Sequence, residues 1–223
     1  MCIRIFFLLI FFISFKTLVF AQSETQLPND TRWVTESSEY VAICEQIYMN
    51  AWFVLRQRLQ NLEEPCIIMD LDETVLDNSQ YQVDLYQKSE TFNIKSWNKF
   101  VKKEVSTLVP GVKDFILRYK KNKKAKIIYI SNRDHITLKA TKNNMKQLGI
   151  YFEDDIYLLK KDETDTKIIR REQVLKGTGR MESHGAKEVI AYFGDAMGDF
   201  LNDKKYQFSI NKFIFPNPMY GKW

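Results

Sequence analysis

The sequence predicts an α/β protein built on a doubly wound parallel sheet, and two observations support this prediction. Short, mainly apolar runs recur along the chain, as in strands that are buried on both faces of a sheet. Segments with the 3.6-residue apolar period of amphipathic helices lie between these runs. Strands that alternate with helices in this way are typical of a parallel sheet covered by helices on both faces. A chain of 223 residues has the length of one such domain.

The first segment of the chain predicts export. Residues 1–21 place one early arginine before an apolar stretch and end in small residues, which is typical of a signal peptide cut after Ala21. A membrane anchor is the alternative, but Lys16 leaves the apolar stretch shorter than the roughly 20 residues that span a bilayer. Cys2 precedes this stretch, so it is not placed as the lipid-accepting cysteine of a lipoprotein. The mature chain is therefore expected to be periplasmic or secreted, without a stable membrane span.

The remaining elements follow in chain order. Residues 22–34 are polar and are expected to form a lead-in to a single domain over residues 35–223. Apolar residues at helical spacing predict a first helix over residues 35–62. Residues 77–109 lack a strand pattern and predict a small, mostly helical, cap-like insertion over one end of the sheet. The predicted strands are residues 66–69, 125–130, 189–193 and either 208–210 or 213–215, and the predicted helices between them are residues 111–121, 137–148 and 167–175.

Composition excludes several classes of protein. Hydrophobic residues make up 45% and charged residues 27% of a chain with only 8 Gly and 5 Pro, which argues against a disordered or fibrous chain. Without residues 1–21 the formal charge falls from +5 to about +3 (31 basic and 28 acidic residues), too mild for a partner that is a nucleic-acid polymer. Two His and three Cys argue against a Cys/His zinc site, so a metal would be held by carboxylates, as Mg²⁺ is. After export Cys44 and Cys66 form either a disulfide or two buried thiols.

Acidic residues follow the first predicted strand. Asp70 and Asp72 come directly after residues 66–69, and their alternate spacing brings the two carboxylates near one another. Ligands of parallel sheets bind at the carboxyl ends of the strands. Two carboxylates in one site repel each other, so one ionises as a nucleophile while the other carries a proton. A solvated acidic loop is the alternative interpretation.

Polar residues also follow the next strands. Ser131 and Asn132 are neutral donors suited to phosphoryl oxygens, although Ser-Asn after a strand, taken singly, is more often just a turn. Asp195 and Asp199 come after residues 189–193. Asp195 is a candidate helix N-cap, or, beside the Asp70 pair, a ligand of Mg²⁺.

Four segments in order carry a family resemblance: CIIMDLDETVLDNSQY, IIYISNRD, KIIRR and YFGDAMGDF. They resemble the four motifs of the haloacid dehalogenase superfamily. The segments WVTESSEYVAICEQIYMNA, SWNKFV with VPGVKDF, and FPNPMYGKW extend the resemblance over nearly all of residues 33–223, and they are most similar to the class C acid phosphatases, which are exported bacterial enzymes. The resemblance implies a Rossmann-like sheet of the haloacid dehalogenase type. It also implies a Mg²⁺-dependent acid phosphatase with 5′-nucleotidase activity that forms a phospho-aspartate.

The resemblance also implies roles for individual residues. Asp70 would be the nucleophile, and Asp72 would be the general acid and then the base. The charge of the phosphoryl group would be offset by Lys167; Lys160 and Lys161 lie nearby, and only the family match favours Lys167. The groups that would position the phosphoryl oxygens are Thr74, Ser131 and Asn132. The ligands of Mg²⁺ would be the Asp70 side chain, the Asp72 backbone carbonyl and Asp195, with Asp199 acting directly behind them or through water.

Two aromatic residues match family positions around a nucleoside base. Trp97 lies in the insertion and Tyr220 lies near the C-terminus. Stacking on these rings would suit mixed nucleoside 5′-monophosphates. The alternatives are that Trp97 packs the insertion and that Tyr220 seals the core.

The sequence departs from the family pattern in two places. Ala196 stands where the family has Asn, and residues 176–185 form a longer turn that carries His184, expected to be a loop residue.

The alternatives to a hydrolase are a phosphotransferase that uses the same site and a non-catalytic exported binding or storage protein. Asp70 argues against the binding protein, and Asp72 argues against a dehalogenase, whose halide leaving group needs no proton. The expected partner is a small phosphomonoester, and a homodimer is left open.

Overall fold

The computed structural model describes residues 26–59 and 62–221, so the predicted signal peptide and its cleavage point lie outside the described residues. Helices and strands alternate along most of this length, as the sequence predicts. Three short 3₁₀ turns, at His135–Thr137, Gly179–Met181 and Met197–Asp199, join some of them. In chain order the elements are α1 (Asn29–Glu36), α2 (Ser38–Arg58), β1 (Cys66–Met69), β2 (Leu76–Asp77), α3 (Ser79–Gln87), α4 (Ile94–Val101), β3 (Thr107–Leu108), α5 (Val112–Tyr119), β4 (Lys126–Asp134), α6 (Leu138–Leu148), β5 (Ile156–Lys160), α7 (Lys167–Lys176), β6 (Val189–Gly194) and β7 (Lys212–Ile214).

A five-stranded parallel sheet forms the centre of the fold, in the order β5-β4-β1-β6-β7. From β1 the chain builds outward through β4 and β5 on one side, and then through β6 and β7 on the other. The strand order therefore reverses beside β1, which is where open α/β sheets bind their ligands. This topology confirms the predicted doubly wound α/β class.

The strands that are buried on both faces agree with the prediction. β1, β4 and β6 match the first three predicted runs, and β7 corresponds to the second of the two alternatives for the fourth. The sequence analysis missed β5, because this edge strand is only partly buried and has polar residues at and beyond its end. β4 also runs past its predicted end, with a register irregularity against β5 between Ser131 and Asp134, so the polar residues expected after the strand lie in its last, irregular part.

The first helical segment differs from the prediction in two ways. Residues 29–34, expected to be lead-in, belong to α1, because Thr31 and Val34 are buried where this helix packs near α3. A break at Ser37 then separates α1 from α2, and the Ser37 hydroxyl caps α2 by accepting the N–H of Tyr40 at 3.0 Å. None of the described helices is long and apolar enough to cross a membrane.

Apolar side chains pack on both faces of the sheet. Ile67 and Met69 lie in one core cluster, which also holds Cys44 from α2. Cys66 and Ile68 lie in a second cluster on the opposite face. Both cysteines are therefore free, buried thiols in this structure, which is the second of the two alternatives left open by the sequence.

The insertion is helical, as predicted, and has a small core of its own. It consists of α3 and α4, and it leaves and rejoins the main domain through the antiparallel pair β2–β3. The residues of its core are Tyr81, Leu85, Trp97, Phe100 and Val101. Asn98 of α4 donates a hydrogen bond to Asp134 at the end of β4, with 3.1 Å between Nδ2 and Oδ2. The insertion is thereby held over the carboxyl end of the sheet.

Candidate active site

Asp70 lies at the centre of the polar groups at the carboxyl end of the sheet. It directly follows β1 and is only 5% exposed. The ammonium of Lys167, the first residue of α7, lies 2.8 Å from Asp70 Oδ1 and also forms an ion pair with Asp199. Of the three candidate lysines, Lys167 is the one in contact with Asp70, whereas Lys160 pairs with a glutamate and Lys161 is exposed.

A cluster of three carboxylates surrounds this lysine. Asp70, Asp195 and Asp199 each offer one oxygen, and these three oxygens lie within 4.8 Å of one another. One lysine is insufficient to balance three close carboxylates, and an all-oxygen set of this kind suits a hard divalent cation. The residues present therefore fit a metal ion of the magnesium type.

The charges in this cluster shift its acid–base equilibria. Burial raises the pKa of Asp70 well above its ordinary value; the ammonium of Lys167 opposes the shift and the carboxylate of Asp199 adds to it. Burial and Asp199 likewise raise the pKa of Asp195 to about 6, against a hydrogen bond from Asn217. Burial by itself would lower the pKa of Lys167, but Asp70 and Asp199 raise it above its ordinary value. The lysine is thus held as a cation beside Asp70.

Asp72 is held by three donors. Its Oδ1 accepts a hydrogen bond from Arg133 Nε at 2.8 Å and another from Asn78 Nδ2 at 3.0 Å. Its Oδ2 accepts from the hydroxyl of Ser131 at 3.1 Å. The carboxylate is therefore fixed in one orientation near Asp70, as an acid–base group requires.

The predicted phosphoryl-binding groups lie around these acids. The Thr74 hydroxyl is buried and has no hydrogen-bond partner among the described residues. The side-chain oxygen of Asn132 accepts from the buried guanidinium of Arg170 at 2.7 Å, which leaves the exposed Asn132 amide NH₂ as a donor. Ser131 is buried and contacts Asp72.

The geometry of this site agrees with comparisons to known proteins. A family model for acid phosphatases, described as HAD superfamily, subfamily IIIB (Acid phosphatase), matches residues 13–223. The chain belongs to this family. This acid phosphatase is similar to the class C acid phosphatase from Bacillus anthracis, solved both with tungstate bound and in a second structure. In each comparison the identity is 31%, the TM-score is 0.72, and the match covers 86% of this chain and 84% of the other. The chain is thus a phosphomonoesterase of this family.

Sequence reasoning missed three side chains that support the site of this acid phosphatase. Arg133 and Arg170 are fully buried and hold Asp72 and Asn132, respectively. Asn217 donates to Asp195 Oδ2 at 2.8 Å. Arg133 and Asn217 stand inside the quoted segments IIYISNRD and FPNPMYGKW, and Arg170 stands inside KIIRR. The three residues therefore lie within the family motifs, but only tertiary contacts show which carboxylate or amide each side chain contacts.

The two aromatic candidates differ in their surroundings. Trp97 is 8% exposed, stacks on Phe100 with ring centroids 5.7 Å apart and meets the edge of Tyr81. Its surroundings favour the packing alternative, because little of the ring is left for a base. Tyr220 is 36% exposed, and it follows Asn217, which contacts the carboxylate cluster, by three residues.

The two remaining departures from the family, Ala196 and the turn that carries His184, lie in different places. Ala196 is exposed, and its backbone N–H donates to Asp199 Oδ2 at 3.0 Å, so the backbone supplies one hydrogen bond here. His184 lies on an exposed turn away from the carboxylate cluster, among residues such as Arg180 and Lys187.

Proposed function

We propose that this acid phosphatase hydrolyses phosphomonoesters through a phospho-aspartate on Asp70, with Mg²⁺ as its divalent cation. The observation that supports this proposal is the burial of Asp70 between the ammonium of Lys167 and two further carboxylates at the carboxyl end of β1. An anionic nucleophile is directed at a phosphate only where positive charge offsets the repulsion. Lys167 supplies part of that charge.

The first step transfers the phosphoryl group to the enzyme. A carboxylate oxygen of Asp70 attacks phosphorus while the bond from phosphorus to the ester oxygen breaks. The leaving oxygen takes a proton from Asp72, so that an alcohol departs. Thr74 and Asn132 would hold two of the phosphoryl oxygens by the free hydroxyl and the free amide NH₂ described above.

The second step releases phosphate. Asp72, now ionised, removes a proton from water, and the water oxygen attacks phosphorus. The bond from phosphorus to the Asp70 oxygen breaks, and the Asp70 carboxylate is regenerated. The three hydrogen bonds to Asp72 keep the same carboxylate in place for both proton transfers.

The cation would be held by the side chains of Asp70 and Asp195 and by the backbone carbonyl of Asp72, with Asp199 close behind. When bound, it offsets the charge of the carboxylates and of the phosphoryl group. The proposal of Mg²⁺ rests on the all-oxygen donor set.

We further propose that nucleoside 5′-monophosphates are preferred substrates and that the protein is exported. The exposed ring of Tyr220, on the segment that contacts Asp195 through Asn217, supports a base-binding role at the mouth of the site. The Bacillus anthracis enzyme was solved with tungstate, a tetrahedral oxyanion like phosphate, which supports a phosphate-sized site in this relative too. Export rests on residues 1–21 of the sequence.

The test of the proposed reaction is the substitution Asp70→Asn, which keeps the volume of the side chain and removes the nucleophile. Phosphate release from AMP, UMP and p-nitrophenyl phosphate is measured with Mg²⁺ and with a chelator, and acid-stable, hydroxylamine-sensitive phosphoprotein is trapped. We expect wild type to need the cation and form the phosphoprotein, and Asp70→Asn to retain less than about 1% of the activity. The matched control is Asp114→Asn, an exposed aspartate of α5. Normal turnover by well-folded Asp70→Asn protein, or wild-type turnover without phosphoprotein, would contradict the proposal.

A further inference from the structure

The buried guanidinium of Arg133 is the closest charged group to Asp72 among the described ion pairs. We infer that Arg133 is a positioning residue for catalysis, which fixes the orientation of the Asp72 carboxylate and connects it to the insertion. The inference rests on the proposed acid–base role of Asp72 and adds a residue that this role depends on.

The contacts of Arg133 reach several separate segments of the chain. The side chain is 1% exposed, and its Nε donates to Asp72 Oδ1 at 2.8 Å. One terminal nitrogen donates to the hydroxyl of Thr141 on α6 at 3.2 Å, and the other donates to Asn78 Oδ1 at 3.0 Å. The Ser106 hydroxyl, just before β3, also donates to Asn78 Oδ1, at 2.6 Å. The guanidinium therefore has a fixed orientation, and through Asn78 it is connected to both ends of the insertion.

This network distinguishes the two oxygens of Asp72. Oδ1 faces two N–H donors, from Arg133 and Asn78, so its lone pairs are occupied by hydrogen bonds that it accepts. Within the described part of the chain, Oδ2 accepts a hydrogen bond only from the Ser131 hydroxyl, which also accepts the backbone N–H of Arg133 at 3.0 Å. A hydroxyl rotates and both donates and accepts, so it adapts to either state of its neighbour. Oδ2 is therefore the oxygen that exchanges a proton with the leaving group or with water.

The planar fork of arginine is what makes this arrangement possible. Arginine directs several N–H groups at fixed angles to Asp72, Asn78 and Thr141 at once, whereas a lysine ammonium is a flexible point charge. The ring of Trp97 lies 5.7 Å from the guanidinium carbon. The core of the insertion thereby packs against the residue that orients Asp72.

The experiment compares leaving groups. The substitution Arg133→Lys keeps the charge and removes the fork, and kcat/KM is measured for p-nitrophenyl, phenyl and simple alkyl phosphates. Because a poor leaving group needs the proton and nitrophenolate hardly does, we expect Arg133→Lys to lose about 10- to 100-fold more on the alkyl ester than on the nitrophenyl ester. The effect should lie in kcat, with KM nearly unchanged.

A second buried arginine provides the matched control. Arg170→Lys also removes a buried fork, but that side chain contacts Asn132 and backbone carbonyls and does not contact Asp72. We expect this variant to weaken binding of all three esters by a similar factor. Thr141→Val, which removes a single acceptor from Arg133, provides a milder variant should Arg133→Lys fold poorly. It should shift the leaving-group preference in the same direction by a smaller factor.

The double variant with Asp72→Asn separates this inference from the proposed function. In that background Arg133→Lys should change the leaving-group preference no further, because the acid is already gone. If Asp72→Asn shows selective loss on the alkyl ester while Arg133→Lys and Thr141→Val lose equally on all esters, the positioning role is refuted and the proposed reaction stands. If Asp72→Asn itself loses equally on all esters, Asp72 is not the acid and both ideas fail.

Discussion

Gly194, the last residue of β6, packs so closely against Asp199 that any side chain at position 194 would collide with it. A Cβ added at Gly194 would overlap Asp199 Cβ and lie 2.5 Å from its Oδ2 and 2.6 Å from its Cγ. Ordinary contacts between carbon atoms are about 3.5–4.0 Å. In Gly194→Ala the carboxylate of Asp199 must therefore move by about 1 Å, away from Lys167 and from the N–H of Ala196.

The expected result of Gly194→Ala is a large loss of activity with a moderate loss of stability. A displacement of about 1 Å in a catalytic group costs on the order of 10²-fold in rate, and overpacking costs about 1–3 kcal/mol of the free energy of unfolding. The assay is kcat/KM for p-nitrophenyl phosphate as a function of Mg²⁺ concentration, together with a thermal melt. The Mg²⁺ concentration that gives half-maximal activity should rise, because Asp199 adjoins the proposed ligands.

Gly198→Ala is the matched control, since Gly198 lies in the 3₁₀ turn that follows β6 and a Cβ there meets no atom within 4 Å. We expect it to keep activity within about threefold of wild type. Folded Gly194→Ala protein with unchanged kcat/KM and unchanged Mg²⁺ dependence would refute the reasoning, as would an equal loss in both variants.

Three further predictions concern stability, substrate choice and export. Because burial raises the pKa of Asp195 to about 6, the metal-free folded protein binds protons that the unfolded chain does not bind between about pH 4 and 6. Its Tm should therefore rise as the pH falls from 7 to 5, and Asp195→Asn should flatten this dependence; a flat profile in wild type would contradict the assignment. Tyr220→Ala should raise KM for AMP and UMP by about 5- to 150-fold, with a smaller effect on p-nitrophenyl phosphate. Trp97→Ala should instead lower the Tm without a selective rise in KM for AMP and UMP, and such a selective rise in KM would restore Trp97 as a base-binding residue. Exported protein should begin at Gln22, and an intact N-terminus in a membrane fraction would indicate an anchor.

Strands could be predicted from the sequence where both of their faces are buried. β1, β6 and residues 127–130 of β4 are runs of consecutive, mainly apolar residues, because helices cover the sheet on both sides. β5 was missed because an edge strand has one free side and tolerates polar residues. The start of α1 was missed because only two of its eight residues, Thr31 and Val34, are buried, which leaves too short an apolar pattern to read.

The candidate site was predictable to the extent that it lies at strand ends. Asp70 and Asp72 could be placed together because they alternate just beyond a buried strand, and the structure brings Asp70 within 2.8 Å of Lys167. The partners of the acids could not be predicted in the same way. Arg133 is 61 residues from Asp72, and Asn217 is 22 residues from Asp195. Such contacts depend on how distant segments pack, which neither periodicity nor spacing records.

The attachment of the insertion has a consequence for how such a fold can vary over evolution. The insertion is connected to the main domain through one short antiparallel pair, β2–β3, which is separate from the five-stranded sheet. Lengthening or replacing the insertion therefore leaves the register of the five parallel strands unchanged. The freedom is limited where Asn98 contacts Asp134 and where Trp97 lies against Arg133. It is also limited at Asn78, which donates to Asp72 and accepts from Ser106. A replacement that keeps these contacts would change the surface over the carboxyl end of the sheet and leave the groups around Asp72 in place. Exchanging about thirty residues would thus change the surface over the site while the carboxylates at the strand ends stay in place.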